Sequence, residues 1–171
     1  MSVGVGGNTD EFLAGDESLS ERVTRRRIDP MRTMTTRISQ IQLVVIPVSD
    51  QERSVAFYEA LGFERRNDIP WGDGHRWVEV YPPGGSTGLV LIPPGPDERI
   101  GVHTGVILNT DDIDATHTEL RNRGVDVDPG VARVGAPAEI RIGPVEMSGP
   151  VPPMFYFRDP DGNTLLVVQP G

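Results

Sequence analysis

The sequence predicts an α+β fold made of two successive units, each a strand, a helix and then further strands. Two stretches carry apolar residues at helical spacing behind an aspartate, and turn-rich strand patterns follow each of them. The two stretches are also in step. Asp50 to Asp112 and Gly62 to Gly124 are both 62 residues apart, so the interval from helix cap to helix stop is repeated although little residue identity is.

Residues 1–37 read as a flexible leader rich in Gly, Ser, Asp and Glu, in which Pro30 interrupts any helix begun by DESLSERVTRRR. Met31 and Met34 offer alternative translation starts, and Arg22, Arg25, Arg26 and Arg27 read as a solvated cluster. A single domain is expected over 38–171, in modules of about 38–94 and 101–171. Its first strand is expected from Ile38 to about Val48. Asp50 then caps a helix that opens at Glu52 or Arg53, buries Val55, Phe57, Tyr58 and Leu61, and stops at Gly62. Strands follow at about Phe63–Asn67, His75–Tyr81 and Thr87–Ile92. In the second unit a strand at Val102–Asn109 leads to a helix capped by Asp111 or Asp112 and ended by Gly124. Further strands are expected at Val131–Val134, Pro153–Arg158 and Thr164–Gln169, with Ala138–Met147 either pairing or forming an extended loop. Gly135 to Pro153 is long for a connection and is read as a lip over a cleft, or as a surface loop.

Composition narrows the function classes. A length of 171 residues with 37% hydrophobic content suits one domain with a sizeable core. The net charge of -9 argues against nucleic acid as a partner. There is no apolar run of membrane-spanning length and no secretion signal, so no membrane partner and a cytoplasmic location are expected. Cysteine is absent, which removes disulfides, thiolate metal sites and cysteine nucleophiles. No serine lies in a nucleophile-elbow pattern, and VGVGG lacks the spacing of a dinucleotide fingerprint.

The stretch IQLVVIPVSDQERSVAFYEALGFE, Ile41 to Glu64, and the later FYFRDPDGNTLLVV, Phe155 to Val168, resemble the opening and closing motifs of the vicinal oxygen chelate superfamily, which includes glyoxalase, extradiol dioxygenase and bleomycin-resistance proteins. The resemblance covers Ile38 to Gln169. It implies paired βαβββ modules forming a curved mixed sheet around a central cleft, and a homodimer. In metal-dependent relatives, His, Glu or Gln side chains project into the cleft and hold a divalent ion that stabilises developing enolate charge. The positions matching those ligands are Leu43, Gly105, Leu166 and, in the fourth strand, Leu91. None carries a donor.

The expectation is therefore a metal-independent binding protein for a small hydrophobic or amphipathic molecule, with no cofactor. Its candidate pocket residues are Trp71, His75, Trp77, Glu79, Tyr81, His103 and Phe155, with Tyr156 beside the last. His75, Trp77 and Glu79 share strand parity, and in an uninterrupted strand His103 points to the same side as Gly105. One alternative is a divalent-metal-dependent lyase, isomerase or dioxygenase with an ion displaced onto His75, Glu79 and His103; another is a non-catalytic interaction module with a filled cleft. His117 reads as a partly exposed helix residue, Arg76 and Arg158 as surface ion-pair residues, and DPDGN as a turn without the ligand pattern of a calcium loop.

Overall fold

The computed structural model describes residues 37–72, 74–133, 140–142, 145–147 and 152–171. The chain divides between Ser39 and Gln40, and all described strands and helices belong to Gln40–Gly171. The expected flexible leader lies outside the described residues except at Arg37.

The first module runs β1 (Leu43–Pro47), α1 (Gln51–Ala60), β2 (Glu64–Gly72), β3 (His75–Tyr81) and β4 (Gly88–Ile92). The second runs β5 (His103–Asn109), α2 (Ile113–Asn122), β6 (Asp126–Val127), the hairpin strands β7 (Ile140–Ile142) and β8 (Val145–Met147), then β9 (Met154–Arg158) and β10 (Thr164–Val168). Each module builds a four-stranded mixed sheet, in order β1-β4-β3-β2 and β5-β10-β9-β6. The first strand of each pairs in parallel with the last, and the other pairings are antiparallel. The repeat seen in the cap-to-stop spacing is thus a repeat of topology.

Both helices begin where the aspartates place them. The Asp50 carboxylate accepts from the Arg53 amide at 3.0 Å, and Asp112 accepts from Ala115 at 2.9 Å, each satisfying one otherwise unpaired donor of a first turn. Both chains leave their helices through a glycine in the left-handed region, Gly62 at φ 92° and Gly124 at φ 79°.

One apolar core runs through both modules. Ile46, Val78, Val80, Leu89 and Leu91 pack with Val55 and Tyr58 of α1, and the same cluster includes Ile113 and Leu120 of α2 with Phe155, Phe157, Leu165 and Val167. Burying each such side chain stabilises the fold by about 1.5–3 kcal/mol. The Phe57 and Phe157 rings meet at 6.4 Å across the module boundary. The DPDGN turn fastens the same boundary. Asp161 accepts from the Ser49 amide and hydroxyl and from Arg53 of the first module, and Tyr58 donates to Asp159. Asn163, fully buried, donates to the Pro47 carbonyl. The turn is as expected; its role as a joint was not visible in the sequence.

Several expectations change. The first strand is shorter than Ile38–Val48, because Ile38 and Ile41 lie outside the ladder at 84% and 69% exposure. Of the expected strand at Val131–Val134, the described residues 131–133 make a single bridge, Ala132 with Met154, while Val134 lies outside the described residues; β6 pairs with β9. Within Gly135–Pro153, Ile140–Ile142 and Val145–Met147 pair as a hairpin, and the reading of that segment as a lip falls largely outside the described residues. His117 is buried rather than partly exposed. Its Nε2 meets the Asp128 carbonyl at 2.8 Å and its ring stands 4.9 Å from that of Phe155.

Candidate functional site

Strand alternation sets which β3 side chains leave the core. Val78 and Val80 point into it with α1, so Trp77, Glu79 and Tyr81 occupy the outer face of the first sheet. There they form one network. Trp77 Nε1 donates to Glu79 Oε1 at 2.7 Å, while Asn67 Nδ2 and the Tyr81 hydroxyl donate to Oε2 at 2.6 and 3.1 Å. Glu79 is buried. Desolvation is the largest single influence on its carboxyl and raises the pKa, but the bonds from Trp77, Asn67 and Tyr81 together outweigh it and hold the group below its ordinary value. Burial, and next the bond to Glu79, push the Tyr81 phenol upward. The Tyr81 ring lies across Gly88, where a Cβ would stand 2.8 Å from it, so this close approach requires glycine.

Trp71, 63% exposed on β2, stands edge-on to Trp77 with ring centroids 5.8 Å apart and planes at 89°. Ile69, opposite Trp77 in the β2–β3 register, is also exposed. His75 begins β3 on the parity of Trp77 and is exposed. Arg76 has the opposite parity and is held by Asp68 and Glu52, the surface ion pairing expected for it. Arg158 likewise pairs with Asp126 and Asp128.

The outer face of the second sheet carries a smaller apolar cluster of Met154, Leu166 and Val168 with Ala132 and Tyr156. His103 joins it. Its ring is 5.6 Å from that of Tyr156, its Nε2 lies 3.4 Å from the Tyr156 hydroxyl, and its Nδ1 accepts from the Gly105 amide at 3.1 Å. Alternation fails locally here. Thr164 pairs with His103 but Leu166 with Ile107, so β5 carries extra residues around Gly105, whose φ is 71°. The assumption of an uninterrupted strand was incorrect. Phe155 is also displaced from its expected place as a pocket wall: it is 1% exposed and packs in the shared core, one residue out of phase with Tyr156.

The structure places the ligand-equivalent positions without supplying donors. Leu43 lies on β1, Gly105 in the β5 irregularity and Leu166 in the outer cluster of the second sheet. Leu91, assigned from sequence as the fourth, faces the core opposite Val78; the β4 residue on the Glu79 side is Val90, also without a donor. His75 and Glu79 stand on one sheet and His103 on the other. Among the described residues no group of three or more His, Asp or Glu side chains is placed to hold a metal ion. The described residues at these positions, Leu43, Leu91, Gly105 and Leu166, do not carry the donors that metal-dependent members of such a fold use.

A separate cavity of about 690 Å³ opens between the modules, lined by Val44, Leu61, Phe63 and Leu89 from the first and Leu108, Leu120, Phe157 and Val167 from the second. None of the seven pocket residues read from the sequence lines it, and no motif pointed to it. Among the described residues its lining holds no titratable side chain. Its threonine hydroxyls are engaged internally: Thr87 donates to the Ile41 carbonyl, Thr104 to Thr164, and Thr110 pairs with Thr116. The cavity offers volume without a titratable side chain among its described lining, whereas the outer face offers exposed indole and ordered polar groups.

The family model described as the Glyoxalase/Bleomycin resistance protein/Dioxygenase superfamily matches residues 40–167. Among solved structures, the chain is similar to TnmS3, described as an antibiotic binding protein from Streptomyces sp. CB03234, at 38% identity and TM-score 0.62, covering 80% of this chain and 100% of that one. A superfamily member from Sphaerobacter thermophilus DSM 20745 is 32% identical at TM-score 0.64, covering 78% of this chain and 98% of its own. The uncharacterized protein YetH of Bacillus subtilis (strain 168) is 28% identical over 137 residues, 77% of this chain and 99% of that protein.

Proposed function

Because the chain belongs to the Glyoxalase/Bleomycin resistance protein/Dioxygenase superfamily, we propose that it is a small-molecule binding protein that works without a metal ion. The observation that carries this reading is the outer face of the first sheet. Trp71 and Ile69 are exposed there beside Trp77, Tyr81 and a fixed carboxylate, an amphipathic wall that a folded protein would otherwise bury. The ligand is a hydrophobic or amphipathic molecule stacked against that wall, and its sequestration needs only complementary packing and a few polar anchors. TnmS3 is an antibiotic binding protein, and its 38% identity with this chain supports the class of function. A homodimer is part of the same proposal, supported by exposed Val45 and Ile107, one on the first strand of each sheet. Among the described residues, no helix is long and apolar enough to cross a membrane.

The metal-dependent alternative requires donors that converge. Glu79 already accepts from Trp77, Asn67 and Tyr81, and the described residues gather no ligand group around it. A native mass spectrum of gently purified protein, with elemental analysis, tests the choice. A retained organic mass, displaced with a change in tryptophan emission, is the expected result. One tightly held divalent ion per chain, lost on His103→Ala, would overturn it. Both tryptophans stand on the proposed wall and neither lines the 690 Å³ cavity, so emission also reports which place is filled.

A further inference from the structure

Glu79 is a buried carboxylate with neutral partners only. Its three donors are an indole, an amide and a phenol, and no ion pair among the described residues includes it. Buried charge is ordinarily paired with opposite charge. Here no ion pair among the described residues offsets the negative charge, and the three hydrogen bonds that hold the carboxyl ionised do not neutralise it. The cations nearby are committed elsewhere. Arg76 turns to Asp68 and Glu52 on the other side of the strand, while Arg66 pairs with Glu64 and the Gly85 carbonyl.

The aromatic groups extend that charge toward solvent. An indole whose N–H donates to a carboxylate is polarised so that its ring becomes richer in electrons, and ring faces attract cations. Trp77 makes that bond to Glu79, and Trp71 stands at right angles to it with most of its surface exposed. The same face already holds one cation in this way: the Arg66 guanidinium carbon lies 4.2 Å from the Tyr81 ring centroid. The Trp71–Trp77 end has the aromatic surface and the carboxylate, and among the described residues no cation is stacked on it. A carboxylate accepts about four hydrogen bonds, and three are taken, so Oε1 retains one acceptor position.

We infer that the corner formed by Trp71, Trp77 and Glu79 is a cation-selective subsite, which takes the ammonium end of an amphipathic ligand while the neighbouring apolar wall takes its body. This rests on the binding reading above and adds the charge class of the ligand. Neutral ligands of the same shape gain the stacking and forgo the carboxylate field.

The test uses benzyltrimethylammonium and its uncharged carbon isostere, neopentylbenzene, titrated into the full-length protein. Tryptophan emission and the two indole N–H cross-peaks of a ¹⁵N spectrum give the readout. The ammonium compound is expected to bind about tenfold more tightly than the isostere. Glu79→Gln is expected to bring the two within about threefold of each other by removing the charge. Trp71→Leu keeps an apolar side chain at an exposed position that the core does not need, and is expected to weaken the ammonium compound about fivefold while the isostere changes less than about twofold. Because Trp71 is 63% exposed, this variant keeps the test valid if Glu79→Gln fails to fold. Equal affinity for the two compounds, or an affinity ratio that neither variant alters, would overturn the cation assignment and leave the binding protein intact. Binding of neither compound overturns the cation assignment, and the retained mass in the native spectrum then decides the binding reading separately.

Discussion

Asn163→Ala is expected to destabilise the protein by about 3–4 kcal/mol, because this one side chain satisfies polar groups from three segments at once. Its Oδ1 accepts from the Gly101 and Val102 amides at 3.0 and 3.2 Å, and its Nδ2 donates to the Pro47 carbonyl and to Asp159 Oδ2, both at 2.9 Å. Four bonds are lost at a residue with no solvent exposure. At a net worth of about 1 kcal/mol each the loss is about 4 kcal/mol, reduced where a water enters the vacated space and re-satisfies part of the set. Against a typical total of about 5–15 kcal/mol this is a large share, and it acts on the joint between modules. Urea unfolding should show a midpoint lower by about 1.5 M with an unchanged slope. Asn163→Asp is a sharper companion. It retains an acceptor but faces Asp159 with a second carboxylate, so the pair shares a proton and its folded pKa rises above the unfolded value. Stability from such a pair is present at low pH and lost as pH rises through the raised value, so this variant should fall further below the parent at about pH 8 than at about pH 4.5. A destabilisation of under about 1 kcal/mol for the alanine variant, or a pH-independent deficit for the aspartate one, would refute the account of Asn163 as the joint.

Glu79 has a folded pKa held below its ordinary value, so its contribution is present above the unfolded carboxyl pKa and lost as pH falls through the lower folded one; Glu79→Gln should flatten that part of a urea-midpoint profile taken on the acid side. Gly88→Ala would drive a methyl to 2.8 Å from the Tyr81 ring, and should cost about 1–3 kcal/mol and shift tryptophan emission as Tyr81 leaves Glu79. Asp50→Ala and Asp112→Ala should each cost about 1 kcal/mol in thermal or urea unfolding, and the double variant should cost their sum because the two caps share no partner.

The features most legible in the sequence were those made by neighbouring residues. Asp50 and Asp112 each bond an amide three residues on, and Gly62 and Gly124 each absorb a left-handed turn, so four residues of context suffice to see them. Alternation within β3 likewise brought His75, Trp77 and Glu79 to one face. It failed where the strand departed from alternation or where the partner strand sets the phase. The irregularity at Gly105 broke the inferred pairing of His103 with that position. Leu91 and Phe155 were each read onto the wrong side because their phase is set by the register with β1, β3 and β10, which no local pattern contains. The 690 Å³ cavity left no motif, since its lining is mostly ordinary apolar residues with a few uncharged polar ones, drawn from both modules.

By itself the sequence determined the two-module repeat, the helix ends, and the absence of a lone-pair donor at Leu43, Gly105 and Leu166, because these follow from residue identity and from hydrogen bonds that close within a few residues. Only the tertiary structure decided that Asn67 and Tyr81 share a carboxylate with Trp77, that Trp71 stands over the same face, and that Asn163 reaches Pro47 across 116 residues of chain. Those relations depend on strand register and burial. Both are set by the packing of distant segments against one core, which fixes the position of every side chain on a strand once the pairing is made.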